Sequence, residues 1–127
     1  MNALKTFLLF IITIFLHSTS FAIDYYWVGG TGNWSDINKW STTSGGAGGA
    51  GVPSVNDNVF FTQASFTAAN QTVTLNIANA NCNNMTWSNT SNTPNFASSS
   101  SANNLNIYGN LTMTDSNLKT FVSSVYK

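Results

Sequence analysis

Beyond its first two dozen residues the chain alternates apolar and polar positions in short runs with a period of two. Each run is bounded by Asn, Gly or Ser. That period matches the pleat of a strand, in which successive side chains point to opposite faces. The runs predict strands at Tyr25–Val28, Asn58–Thr62, Thr72–Ile77, Asn84–Trp87, Leu105–Tyr108, Leu111–Thr114 and Phe121–Tyr126. Asn117–Thr120 reads equally as a helical turn or a loop. No helical periodicity occurs elsewhere in this part of the chain, so the fold class is all-β.

The C-terminal half also carries a longer rhythm. Asn83-Asn84-Met85-Thr86-Trp87 and Asn103-Asn104-Leu105-Asn106-Ile107 are offset by twenty residues, and Ser123-Ser124-Val125-Tyr126 falls at the next such offset. A period of that size suits one coil of a parallel β-solenoid, with apolar positions stacking coil on coil. Asparagines recurring at equivalent positions would then share amide hydrogen bonds along the stack. Upstream the phase is lost, because Val59 and Phe61 map onto Asn79 and Asn81. An irregular β-sandwich or meander is the alternative.

The first residues follow a different pattern. Lys5 precedes an apolar run, Phe7 to Leu16, broken only by Thr13, and small Ser20 and Ala22 stand at −3 and −1 of a cleavage site after Ala22. That is the arrangement of a secretory signal peptide. A run of ten falls short of the roughly 20 residues that span a hydrocarbon core, so no stable membrane span is expected after cleavage. The expected location is extracellular, as a secreted or cell-surface protein.

Charge narrows the partners. After Ala22 there are three lysines (Lys39, Lys119, Lys127), four aspartates (Asp24, Asp36, Asp57, Asp115), no arginine and no glutamate. Three scattered lysines make no basic patch, which argues against nucleic acid and against an electrostatic membrane-surface role. Cys82 is the single cysteine, so no internal disulfide can form and a buried free thiol is expected.

The inventory also argues against an enzyme. The sole histidine, His17, belongs to the leader, which removes any Ser-His-Asp triad, Cys-His dyad or histidine metal site from the processed chain. No catalytic residue, metal site or cofactor is expected. Gly45 to Gly51 is followed by Val52-Pro53-Ser54 rather than Lys-Ser/Thr, so it reads as a flexible surface loop and not as a phosphate cradle. Asp57, between Asn56 and Asn58, suits a tight turn; one carboxylate is poor provision for a calcium ion.

Asp24 to Ser41 holds three of the four tryptophans. Trp27, Trp34 and Trp40, with Asp36 and Asn38, are residue types that stack on sugar rings and bind their hydroxyls, which makes them candidate glycan-binding residues. The competing expectation is that the tryptophans pack as an aromatic cap over the end of the β-structure, with Gly29, Gly30 and Gly32 turning between them and Asp36 capping a turn. Burial of each ring stabilises by about 1.5–3 kcal/mol or more, which favours the cap.

Taken together, Tyr26-Trp27-Val28-Gly29-Gly30-Thr31-Gly32-Asn33-Trp34-Ser35, Asn38-Lys39-Trp40-Ser41, Val52-Pro53 and Asn56-Asp57-Asn58-Val59-Phe60-Phe61 resemble a W-x-G-G-x-G-N-W-S…N-W-S…P…D-x-V-x-F pattern. That pattern opens the N-terminal region of large repetitive, autotransporter-like or adhesin-like surface proteins of Bacteroidota. The resemblance implies a right-handed parallel β-helix that starts from an aromatic, Gly-rich cap and is displayed or released outside the cell. It divides the chain into a signal peptide (1–22), a cap with its Gly-rich loop (23–63) and the first solenoid coils (64–127). The family continues for hundreds of residues, so the chain reads as the front of a longer surface protein. The partners implied are surface glycans or other surface proteins.

Overall fold

A computed structural model describes residues 20–121, and within them the chain is built almost wholly of strands. They are β1 (Asp24–Trp27), β2 (Gly32–Asn33), β3 (Trp40–Ser41), β4 (Asn58–Phe61), β5 (Thr72–Leu75), β6 (Asn79–Cys82), β7 (Met85–Trp87), β8 (Asn95–Ser98), β9 (Asn104–Ile107), β10 (Leu111–Met113) and β11 (Thr120–Phe121). Two single 3₁₀ turns, Ile37–Lys39 and Gln63–Ser65, are the helical content among the described residues. The all-β expectation holds. Asn117 to Lys119 is loop rather than helix. The signal-like segment up to Thr19 and the expected strand beyond Phe121 lie outside the described residues.

The strands form three sheets, ordered β10-β7-β4-β1-β3, β11-β8-β5-β2 and β6-β9. Every neighbouring pair is parallel except β1 and β3. From β4 onward the chain visits the sheets in a fixed order: β4 adds to the first, β5 to the second and β6 begins the third, β7, β8 and β9 repeat the visit, and β10 and β11 begin it again. Each return places a strand beside the one laid down a visit earlier.

Register corrects the spacing expected from sequence. Val59 pairs with Met85 and Met85 with Leu111, a step of 26 residues. Asn79 pairs with Asn104 and Phe96 with Phe121, a step of 25, while Val73 pairs with Phe96, a step of 23. Met85 and Leu105, matched at an offset of twenty, lie in different sheets, Leu105 facing Ala80. The doublets recur at twenty through composition, since Asn and Ser are abundant along the whole chain. With the true step the upstream phase is restored, since Val59 and Phe61 fall on Met85 and Trp87.

Alternation decides what is buried. In β1, β4 and β7 the inward column is Tyr25, Val59, Met85 and a second column is Trp27, Phe61, Trp87; all six are buried. The second sheet adds Val73, Leu75 and Phe96, and the third adds Ala80, Cys82 and Leu105, to one continuous cluster that runs unbroken across residue 63. Cys82 is a buried free thiol.

The outward positions are tied by amides. Asn58 Nδ2 donates to Asp24 Oδ1 (2.8 Å), Asn84 Nδ2 donates to Asn58 Oδ1 (2.8 Å), and the Asn110 backbone N–H donates to Asn84 Oδ1 (2.8 Å). In the third sheet Asn106 Nδ2 donates to Asn81 Oδ1 (3.0 Å). The expected sharing of amide hydrogen bonds therefore occurs, but at 25 to 26 residues. These side chains give Asn-rich β6 and β9 a reason to be strands despite poor intrinsic β-propensity.

The glycine-rich run is an exposed loop, as expected, but it is pinned. Gly49 N donates to Ile37 O (2.9 Å) and Ala50 N to Trp40 O (3.1 Å). Gly48 lies so close to the Asn38 carbonyl that a Cβ would meet its oxygen at 1.9 Å. Glycine is required there for close approach of two backbones.

Candidate functional site

The stretch from Asp24 to Ser41 occupies the end of the first sheet, where two-residue β3 closes the edge antiparallel to β1. A short edge strand of this kind presents few free backbone groups. Trp27, Trp34 and Trp40 are brought together there, and each is 0% exposed. Trp40 sits at the centre, edge-on to Trp27 (4.9 Å, 85°), Trp34 (4.8 Å, 72°) and Tyr25 (6.3 Å, 86°). Such T-shaped contacts place the positive ring edge on the negative face.

Backbone carbonyls complete the cluster. Trp27 Nε1 donates to Gly30 O (2.6 Å) and Trp40 Nε1 to Trp34 O (2.8 Å). Gly30 adopts φ +69°, which turns its carbonyl back toward Trp27 at a position where an added Cβ would strike Gln71. The Nε1 atoms of Trp34 and Trp87 are buried without a partner.

This geometry overturns the sugar-stacking role expected for Trp27, Trp34 and Trp40. A ring with no exposed face cannot stack on a pyranose, so the three tryptophans serve as packing. Asp36 and Asn38 lie beside them but act on the backbone: Asp36 Oδ1 accepts from the Asn38 N–H (2.9 Å) and caps the Ile37–Lys39 turn. The Asn38 side chain is exposed. The five residues are near one another in the chain without forming a ligand site.

The remaining acids are likewise engaged by amide and hydroxyl donors. Asp57 is buried and accepts from Ser54 N (2.8 Å), Ser54 Oγ (2.6 Å) and Ile23 N (3.0 Å). This is the turn expected at Asp57, closed backward onto Ser54. Asp115 accepts from Thr90 N and Asn117 N (2.8 Å each). Among the described residues no group of three or more His, Cys, Asp or Glu side chains could hold a metal ion. No helix among them is long and apolar enough to cross a membrane.

Two perturbed acidities follow from burial. Desolvation raises the Tyr25 hydroxyl pKa, and the Asp57 carboxylate adds to the effect. Burial alone pushes the Cys82 thiol up to about 12. Thiolate chemistry is thereby suppressed at neutral pH.

Sequence reasoning missed two outer features. Tyr26 and Phe60 stack on the outer face of β1 and β4 (5.0 Å, 19°), beside the Asp24–Asn58 hydrogen bond. Their alternation with buried Trp27 and Phe61 was the available signal. The second is an open groove of ≈ 410 Å³ lined by Ser44, Thr62, Gln63, Ala64, Ser88 and Asn89. Its walls offer hydroxyls and amides, which bind by neutral hydrogen bonds and supply no acid or base.

No protein-family model, curated protein or solved structure matches this chain.

Proposed function

We propose that this chain is a non-catalytic structural module of the secreted or cell-surface, adhesin-like type. On this reading its strands are the first coils of a right-handed parallel β-solenoid, closed at one end by the aromatic cluster. The observation that carries it is the fixed order in which the chain, from β4 onward, visits three sheets, with parallel partners 23 to 26 residues on. A stack of that kind buries its apolar columns only against neighbouring coils and grows by adding more of them. It provides an extended, weakly charged surface of Asn, Ser and Thr, suited to holding or spacing partners.

The carboxylates support the same reading, because all four are occupied in capping, turns or the amide ladder. Surface glycans or other surface proteins would be met on the outer faces, at the Tyr26–Phe60 pair or the polar groove, and not through the tryptophans.

The test is location and adhesion together. Intact cells producing the full chain are labelled with antibody and treated with external protease, and the purified chain is applied to glycan arrays and surface-protein extracts. Labelling outside the cell, with retention that survives Trp34→Phe, is expected. A chain held inside the cell would refute the export half of the proposal, and turnover of any polymer substrate would refute the non-catalytic half.

A further inference from the structure

Asp57 is a buried carboxylate, 6% exposed, whose oxygens are met by neutral donors. The two described lysines are engaged elsewhere: Lys39 Nζ donates to Gly29 O (2.8 Å) and Lys119 Nζ to Asn70 Oδ1 (3.0 Å). Ser54 satisfies one face of the carboxylate, through Oδ2. Oδ1 accepts from the backbone nitrogen of Ile23 at 3.0 Å. Ile23 O in turn accepts from Asn58 N (2.9 Å), so residue 23 is where the packed chain begins. Ser20, Phe21 and Ala22, immediately before it, are exposed.

We propose that the bond between Ala22 and Ile23 is a processing site, and that its hydrolysis creates an α-ammonium at Ile23 which forms an ion pair with Asp57. Water adds across the amide: hydroxyl goes to the Ala22 carbonyl carbon, which leaves as a carboxylate, and the freed nitrogen takes protons to become ammonium. Exposed Ser20 and Ala22 supply the small side chains that a signal-type endopeptidase accepts at −3 and −1. The nitrogen already donates to Oδ1 as a neutral amide. Cleavage adds a full charge at the same 3.0 Å, which makes the hydrogen bond charge-assisted and compensates the buried carboxylate. Processing is thus coupled to the last tightening of β1 against β4, and the uncleaved chain is the less stable form.

This inference rests on the export reading above, and the experiment separates the two. The full chain is secreted through its own leader, and its first residue is read by intact mass and terminal sequencing. The product is unfolded in urea, acetylated at about pH 6.5, where lysines with pKa about 10.4 are protected and the α-amine is not, and refolded. Acetylation is expected to lower the folding equilibrium constant about tenfold in the wild type and less than twofold in Asp57→Asn. Should Asp57→Asn not fold, the α-amine of the wild type is titrated by ¹³C-methyl NMR. A pKa above the usual 7.7–8.0 in the folded chain, returning to that range in urea, is expected. The other charged group on β1 is Asp24, whose carboxylate accepts from Asn58 Nδ2, and Tyr25 ionises only above its usual range. A chain that keeps its leader overturns both export and this pairing. A chain that starts at Ile23 but is indifferent to acetylation, or has an unshifted α-amine, overturns the pairing alone, as does a start at any other residue.

Discussion

Phe61 and Trp87 lie face to face, ring centroids 3.8 Å apart and planes 12° apart, on adjacent parallel strands. Their sequence separation is one full visit to the three sheets. Phe66 continues the stack at 6.0 Å from Trp87, and Phe96 meets both rings edge-on. The contact therefore couples two successive visits of the chain and the turn between them.

Truncation of either ring should show this coupling. Phe61→Ala and Trp87→Ala are each expected to cost about 3–5 kcal/mol by urea denaturation. The double variant should cost less than the sum by about 0.5–1.5 kcal/mol, since the stack is lost once. Thr112→Ala, on an exposed position of β10, should stay within about 0.5 kcal/mol.

All four tryptophans are 0% exposed, and this sets their fluorescence. Emission of the native chain should be blue-shifted, with iodide quenching several-fold weaker than in urea. A red-shifted, readily quenched native spectrum would contradict the buried cluster and reopen the rings to ligands.

The Cys82 thiol should be inert to thiol reagents at pH 8 in the native chain and react stoichiometrically in urea. Its pKa is about 12 when folded and about 8.5 in the unfolded chain, so the folded state holds the proton longer. Its contribution is complete below about pH 8.5 and declines above it, by about 1.4 kcal/mol per pH unit. Comparison of urea midpoints at pH 8 and 10 should show the decline in the wild type and a smaller one in Cys82→Ala.

Gly48→Ala forces a Cβ onto the Asn38 carbonyl and should cost about 1–3 kcal/mol, or expel the loop and open it to limited proteolysis. Ala47→Gly, two residues from the Gly49–Ile37 hydrogen bond and exposed, should leave both stability and proteolysis nearly unchanged.

Asn58 joins three partners, accepting from Asn83 and Asn84 and donating to Asp24. Asn58→Ala should cost about 1–2 kcal/mol, more than a single neutral hydrogen bond, with Asn84→Ala adding little to it. Full additivity of the two changes in thermal or urea melts would show that the amides act independently.

Six of the strands were legible in the alternation to within a residue or two, because a run such as Asn58-Val59-Phe60-Phe61 carries its own inward face. β2, β3, β6 and β8 were not. Gly32–Asn33 and Trp40–Ser41 are too short to show a period, and Asn79–Cys82 and Asn95–Ser98 offer mainly Asn, Ala and Ser. The glycan site suggested by Trp27, Trp34 and Trp40 illustrates the same limit, since an aromatic side chain has the same composition whether it faces sugar or core.

The pleat alone determined which side chains share a face of each strand, because successive residues of an extended backbone must point to opposite sides. The single histidine, His17 in the N-terminal apolar segment, and the few charges likewise narrowed the candidate chemistry without any fold. Register and partnership belonged to the tertiary structure. Loops can lengthen at little entropic cost, so nothing local sets whether the next parallel strand returns after twenty residues or twenty-six. The packing of Phe61 on Trp87 and of Val59 beside Met85 fixes the step, and the pairing of β3 with β1 and of β2 with β5 brings the three tryptophans of the opening stretch inward.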